Sequence, residues 1–418
     1  MTASSRMIAP RLVIAVIAFG IAVRLVLAYV LGDHADPVSG AADQVSYDTL
    51  AERVVAGRGF SFPTAWYPFT QADTPTAHWS YLYTVYLAGI YAVVGHHPLI
   101  ARMVQVLLSG FGTWLTFVIG RRLFGVQAGL AAAALHASYA YLVFFSAALM
   151  TQTFYILALL AVLALALRMR DQCDLRDWGL LGFALGIGTL FRQTLLLFTP
   201  VLLTWLVWEH KARLGWRGPA TMLAVVAALI APWTIRNYLA FGDFLLLNSN
   251  GGFFFYAANH PNQGVDFDPN YVAPIPASLV DLAEPARDRA LYREALGFVV
   301  NDPLRFVRLT LSRIPEHFWL LPSRHSSVSA NWARLCSFTL YLPFMIAGLL
   351  LSVRQWRECL PLYLYVGFDT TLHLISWAAP RYRLPSDALM IIFAGLAVAR
   401  LAARLGALPK SDAARTNV

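Results

Sequence analysis

Apolar runs close to the ~20 residues needed to cross a ~30 Å hydrocarbon core as a helix recur along almost the whole chain. No other feature limits the possible folds so tightly. Of the 418 residues, 58% are hydrophobic and 13% charged, where soluble domains carry about 25% charged residues. The sequence predicts an all-α, polytopic helical membrane protein of about ten transmembrane helices plus one re-entrant or interfacial helix.

The net charge of +9 does not point to nucleic acid, because the cations are grouped between spans. Arg121-Arg122, Arg168 with Arg170 and Arg176, Arg354 with Arg357, and Arg400 with Arg404 mark cytoplasmic loops by the positive-inside rule. Spans are expected near 12–31, 100–120, 126–147, 152–167, 178–191, 194–208, 219–234, 335–353, 360–377 and 385–403. The apolar stretch 81–95 is short for a crossing. Reading it as re-entrant or interfacial keeps Arg121-Arg122 inside. The first run is expected to be a retained span, since no small-residue cleavage site follows it. Residues 1–403 are expected to form one membrane domain and 404–418 a cytoplasmic tail, with long outer loops at 32–79 and 236–332. Cys173, Cys336 and Cys359 are far apart and suggest neither a metal site nor a disulfide framework.

The first outer loop is unusual for its acids: Asp33, Asp36, Asp43, Asp48, Glu52 and Asp73, with residues 43–52 patterned as a short amphipathic helix. Other polar clusters fall on the same face. They are Thr151-Gln152, Arg192, Arg236-Asn237-Tyr238 and Arg381-Tyr382-Arg383. Ionisable groups beside a bilayer are expensive, so their convergence points to function, although span-end charges also serve as interfacial anchors. Carboxylates beside arginines suit a transfer reaction: a carboxylate takes the proton of an acceptor hydroxyl or amine, and cations hold a departing phosphate. No glycine-rich phosphate loop follows a strand, so a nucleotide donor is not indicated. A donor carried on lipid phosphate fits better.

Several blocks are similar to the integral-membrane glycosyltransferases of the GT-C fold. They are Asp43-x-x-x-Tyr47 with Gly57-Arg58-Gly59, Arg102, Arg121-Arg122-Leu123-Phe124-Gly125, Pro232-Trp233-Thr234-Ile235-Arg236-Asn237-Tyr238, Asn250-Gly251-Gly252, Asn259-His260-Pro261 and Arg381-Tyr382-Arg383-Leu384-Pro385. The resemblance spans roughly residues 12–403. It is to the bacterial relatives of protein mannosyltransferases, the lipid A aminoarabinose transferases and the rhizobial galacturonosyltransferases. It implies transfer of a sugar from a polyprenyl-phosphate donor to an envelope acceptor (lipid A, lipopolysaccharide, glycan or protein) on the outer face of a bacterial inner membrane. By the same resemblance the catalytic carboxylate maps to Asp43, with Asp48 as the rival. Tyr47, His78, Arg192, Arg236, Asn237, Arg381 and Arg383 are expected at the substrates. Where relatives often carry a second acid, this chain has Thr151-Gln152. No metal ligands are assigned, and a divalent metal is left open. The large soluble carboxy-terminal domain of some relatives is not expected here.

Other readings remain at this stage: a lipid-linked glycan polymerase or ligase, or a transporter or flippase. A transporter predicts repeats and broken helices near the midplane; the sequence has no internal repeat. Residues 278–300 carry an amphipathic pattern expected to lie on the membrane surface. Asp369 and His373, four apart, are expected as a structural pair inside the bundle. Asp266 with Asp268 reads as a solvated loop. His96-His97 is a histidine pair without further ligands nearby in sequence.

Overall fold

The computed structural model describes residues 3–37, 43–171, 173–210, 215–322 and 327–406. The expected tail from 407 onward lies outside them. In chain order the α-helices are α1 (Ala3–Leu31), α2 (Asp43–Val55), α3 (Tyr81–Val94), α4 (Pro98–Phe124), α5 (Val126–Ser138), α6 (Ala140–Ala147), α7 (Gln152–Met169), α8 (Leu175–Phe191) and α9 (Thr194–His210). They continue with α10 (Arg217–Phe241), α11 (Gly251–Asn259), α12 (Ala277–Val280), α13 (Glu284–Asn301), α14 (Pro303–His317), α15 (Val328–Arg334), α16 (Leu340–Ser352), α17 (Trp356–Ile375) and α18 (Leu384–Arg404). Among the described residues there is no β-sheet, only isolated bridges within the first loop.

By length and apolarity alone, six helical stretches can cross a membrane, or seven if the bent pair α5–α6 is one span. One of them, Ala330–Ile375, is 46 residues long, about twice the length of one crossing, and a 3-10 turn at Val353–Gln355 divides it. Helices α8 and α9 have 17 residues each, slightly short of a full crossing. The expected ten spans are therefore reached only if these shorter helices are included. Helix α3 has 14 residues, about 21 Å at 1.5 Å per residue, too short to span.

Small residues let the helices approach. A Cβ at Gly395 of α18 would lie 2.6 Å from the Ala128 carbonyl of α5, and one at Gly348 of α16 would strike the Phe393 carbonyl of α18. Such close packing is how helices associate where lipid removes the hydrophobic drive.

The α5–α6 pair bends by 56° at Tyr139. A break inside hydrocarbon frees backbone groups that need new partners, and this one has them. Buried Arg24 of α1 donates to the carbonyls of Ala137 (2.9 Å) and His136 (3.1 Å). On the far side, Ser337 Oγ accepts from the Tyr141 amide at 2.9 Å, and Ser337 itself sits in a π-helical irregularity before α16.

The two ends of the bundle differ in composition. At one end Arg122 pairs with Asp171 (2.8 Å) and Arg170 with Glu209 (2.9 Å), joining the ends of α4, α7 and α9. At the other, the two long polar segments pack together. Arg236 reaches the Thr76 carbonyl, Asn248 the Trp79 carbonyl, and Glu284 Oε1 accepts from the Ala77 amide at 2.8 Å.

In α13 Leu291 and Ala295 are covered by Phe253, Tyr256 and Ala257 of α11, while Tyr292, Leu296 and Val300, spaced four apart, are exposed. Helix α14 carries a second exposed apolar stripe, Leu304, Val307, Leu311 and Ile314, opposite buried Leu309, Arg313 and His317.

If Arg24 serves the broken helix, Arg24→Met should lower thermal stability in detergent by about 1–3 kcal/mol, the usual penalty for a buried group left unsatisfied. A midpoint equal to wild type would show that the carbonyls find other partners.

Candidate active site

Helix α2 begins at Asp43, which places that carboxylate in the first turn, at the positive end of the helix dipole. Its side chain is 42% exposed and accepts a hydrogen bond from Arg381 Nη1 to Oδ2 at 2.8 Å. Arg381 belongs to a 3-10 turn, Pro380–Arg383, that leads into α18. Its Nη2 donates to the Tyr382 hydroxyl at 3.1 Å.

Tyr382 organises the surrounding cations. Arg381 lies 5.0 Å and Arg192 5.2 Å from its ring centre, and the ring stacks on His373 at 4.9 Å with an interplanar angle of 6°. Arg192 also lies 5.4 Å from the ring of Tyr155. These aromatic faces hold the guanidinium by cation–π attraction. Among the described residues no carboxylate forms an ion pair with Arg192. Its position is local in origin, since α8 ends at Phe191 and Arg192 takes an extended conformation before α9 starts.

Tyr47 and His78 complete the group. Tyr47 is buried, packs edge-on against Tyr83 at 4.9 Å, and accepts from the Ser80 amide at 3.4 Å. Burial raises its pKa, as does Asp43, while Arg192 and Arg381 oppose the shift. His78 is stacked between Phe69 (3.8 Å) and the edge of Trp79 (4.7 Å), and burial pushes its imidazole down to about 3. It is therefore neutral and lines a cleft of about 230 Å³ with Phe69, Ser249, Glu284, Arg287 and Asp288.

Other expected site residues lie elsewhere. Asp48 is on the same helix as Asp43, but five residues along α2 turn it by about 140°. It faces the α3–α4 turn, where it accepts from the Tyr91 hydroxyl and pairs with His96 Nε2 at 3.0 Å. Arg236 and Asn237 hold the chain together: Arg236 donates to the Thr76 and Phe60 carbonyls, and Asn237 to those of Leu245 and Leu247. The block from Pro232 to Tyr238 fastens the C-terminal end of α10 to the two loops, with Asn237 wholly buried. Arg383 points into the bundle. Its Nε pairs with Asp387 at 2.9 Å, it donates to the His317 carbonyl, and it packs over Phe338. Asp369 and His373 form the expected internal pair, at 3.5 Å, with Ser386 donating to Asp369 at 2.6 Å.

The surroundings of Asp43 do not suit a divalent cation. Its carboxylate is already paired with the guanidinium of Arg381, and the turn where relatives often carry a second acid presents Thr151 and buried Gln152. Sequence reasoning named Tyr382 only as part of the Arg381-Tyr382-Arg383 cluster, without the part it plays in orienting both arginines, and it missed Tyr155.

His78 should make the protein acid-sensitive. Its folded pKa lies below the ordinary 6.5, so as pH falls the unfolded chain takes up the proton first. Stability from this residue is intact above about pH 6.5 and is lost progressively toward pH 3; at pH 5 the loss is about 2 kcal/mol. Burial raises Glu284 instead, and that residue acts in the opposite sense. Thermal unfolding between pH 7 and 5 should have a shallower pH slope in His78→Phe than in wild type.

Residues 79–235 match the family described as Dolichyl-phosphate-mannose-protein mannosyltransferase. No curated protein matches the chain by sequence. Among solved structures, the archaeal oligosaccharyltransferase AglB from Archaeoglobus fulgidus, in complex with an inhibitory peptide and a dolichol-phosphate, is similar with a TM-score of 0.59 and 12% identity. The match covers 98% of this chain and 53% of AglB. The Archaeoglobus fulgidus oligosaccharyltransferase in complex with Zn and sulfate gives 0.58 and 12%, over 94% and 49%. ArnT from Cupriavidus metallidurans in the apo state gives 0.53 and 15%, over 93% and 60%. The chain spans between about half and three-fifths of the length of these structures. At this identity the likeness is one of fold, and the chain has the GT-C fold.

Proposed function

We propose that this protein is a glycosyltransferase that moves a sugar from a polyprenyl-phosphate donor to an envelope acceptor, at the outer face of a bacterial inner membrane. The observation that carries this reading is the placement of Asp43 against Arg381, with Arg192 across the ring of Tyr382, where the first loop, the end of α8 and the turn before α18 meet. The family matched by residues 79–235 and the dolichol-phosphate held by AglB support a lipid-phosphate donor. Lipid A, lipopolysaccharide, another glycan or a protein are all acceptors of the right chemistry.

In the proposed reaction the donor phosphate rests against Arg192 and Arg381. A guanidinium held by aromatic faces, with no carboxylate of its own, is suited to receive an anion. The acceptor hydroxyl or amine attacks the anomeric carbon from the side opposite the phosphate. Its proton passes to Asp43 as the new bond forms. The bond from the anomeric carbon to the phosphate oxygen breaks, and the polyprenyl phosphate leaves with the electron pair, so configuration inverts. Arg381 engages Asp43 Oδ2, which leaves Oδ1 for the proton. The Asp43–Arg381 contact also keeps base and phosphate holder in fixed register, the positioning on which such transfers depend.

Substitution distinguishes this role from a structural one. Asn occupies the start of a helix about as well as Asp but cannot take the proton. Asp43→Asn should retain thermal stability while transfer of sugar from a polyprenyl-phosphate donor falls by roughly 10²–10⁴-fold. Asp48→Asn should retain most activity; a dead Asp48→Asn beside an active Asp43→Asn would reverse the assignment. Arg192→Ala should weaken donor binding, with only partial recovery in Arg192→Lys, because an ammonium does not reproduce the planar fork. Mass spectrometry of envelope glycolipids from a deletion strain and its parent would identify the acceptor. An unchanged envelope would overturn the reading.

The face is testable independently. Cysteines at positions 60 and 270 should react with an impermeant thiol reagent added outside the cell, whereas labelling only from the cytoplasm would invert the topology.

A further inference from the structure

On the side of α2 turned away from Asp43, three side chains from two elements converge. Asp48 and Glu52 are four residues apart on one face of the helix. His96 comes from the turn between α3 and α4. The His96 Nε2 atom lies 3.0 and 3.1 Å from the two oxygens of Asp48, and Nδ1 lies 3.8 Å from Glu52. One potential ligand atom from each residue falls within 4.8 Å of the other two. Among the described residues this is the one such set of three.

We propose that Asp48, Glu52 and His96 form a binding site for a divalent transition-metal ion, zinc by preference, separate from the proposed transfer site. Ligands at about 2.0–2.2 Å around a tetrahedral zinc are roughly 3.4 Å from one another, so the Asp48 oxygens and His96 Nε2 would move slightly apart, and Glu52, which now faces Nδ1, would swing to the Nε2 side. The mobility required is in the right place. Glu52 and His96 are 52% and 43% exposed at the side chain, whereas Asp48 is 12% exposed and held by the Tyr91 hydroxyl. The site thus has one fixed ligand, two that can close, and a solvent side for water as the fourth. That hydroxyl is the kind of outer partner that orients a ligating carboxylate. An imidazole with two carboxylates suits zinc, while calcium and magnesium favour sets made of oxygen alone.

The ion would fasten α2 to the α3–α4 turn. Without it the link is a hydrogen-bonded pair between Asp48 and His96. With it the three side chains close on one centre, and the helix whose first residue is Asp43 is held at its middle. The inference does not rest on the glycosyltransferase reading, because binding can be measured with no donor or acceptor present.

The test uses full-length, tag-free protein in detergent, stripped with chelator and dialysed. Zinc chloride is titrated against a chromophoric zinc indicator, and thermal unfolding is followed in parallel. Saturable binding of one zinc per chain is expected, with a higher unfolding midpoint. His96→Asn and Glu52→Gln should each weaken it by at least about tenfold. Asp43→Asn should bind as wild type does, and magnesium should not raise the midpoint. Glu52 is exposed, so its variant tests the site even if His96→Asn folds poorly. No saturable binding in wild type would overturn the proposal. So would binding lost in Asp43→Asn, which would place the ion at the transfer site. Binding unchanged in His96→Asn but lost in His97→Asn would also overturn it, by moving the ion to the neighbouring Asp33–His97 pair.

Discussion

The ion pair between Asp43 and Arg381 joins residues 338 positions apart in the chain. It does so at the one place where the first loop, the end of α8 and the turn before α18 all meet. Exposed pairs contribute little to stability, typically ~0–1 kcal/mol, and Asp43 is nearly half exposed. The value of this contact is positional. The pair sets where the carboxylate of a surface helix sits relative to a turn anchored in the bundle, and Tyr382 carries that placement on to Arg192. The anchoring lies deeper: two residues further along, Arg383 is locked to Asp387, which also accepts from Tyr139 at 2.6 Å. The bend in α5–α6 and the candidate site are therefore tied to the same short stretch of sequence.

Much of this organisation was legible in the sequence because it follows from strong local rules. Apolar length gave the class, cation grouping gave a sidedness, and an acid at the start of an amphipathic run gave α2 with Asp43 at its first position. The less legible parts are those in which tertiary packing decides which face of a helix is buried. The pattern in 278–300 is amphipathic, but α11 covers Leu291 and Ala295 while Tyr292, Leu296 and Val300 stay exposed, and a second exposed stripe follows on α14. Span number was blurred for a similar reason. Helices inside a bundle are shielded by neighbours and can be shorter than the bilayer is thick, as α8 and α9 are.

The candidate site was readable in type and not in membership. A list of outer-face arginines does not say which of them is available to a ligand. Arg236 and Arg192 have the same sequence credentials, but Arg236 is pulled onto carbonyls of the first loop while Arg192 meets only rings. His96 is the converse case. Next to His97 it had no partners in sequence, and its carboxylates arrive from 44 and 48 residues upstream, as the His96, Glu52 and Asp48 numbers show.

The arginines of the chain divide by the chemistry of their partners, and that division bears on function. Arg24, Arg102 and Arg313 are almost wholly buried and donate to backbone carbonyls. A buried guanidinium in such a place satisfies chain breaks and loop ends, and removing it leaves acceptors stranded. Arg383 is neutralised by Asp387 and belongs to the frame. Arg381 is shared between a carboxylate and a phenol and sits at the boundary of both classes. Only a cation whose neighbours compensate it weakly can gain much from an incoming phosphate, because the gain is the difference between the new partner and the old ones. Arg192, held by two aromatic faces, has the least to give up. In the proposed reaction Arg381 would exchange part of its contact with Asp43 for phosphate as the acceptor proton arrives at that carboxylate. Loss of negative charge on Asp43 and growth of negative charge on the leaving phosphate would then draw the same guanidinium in one direction, so that a single pairing favours both halves of the transfer.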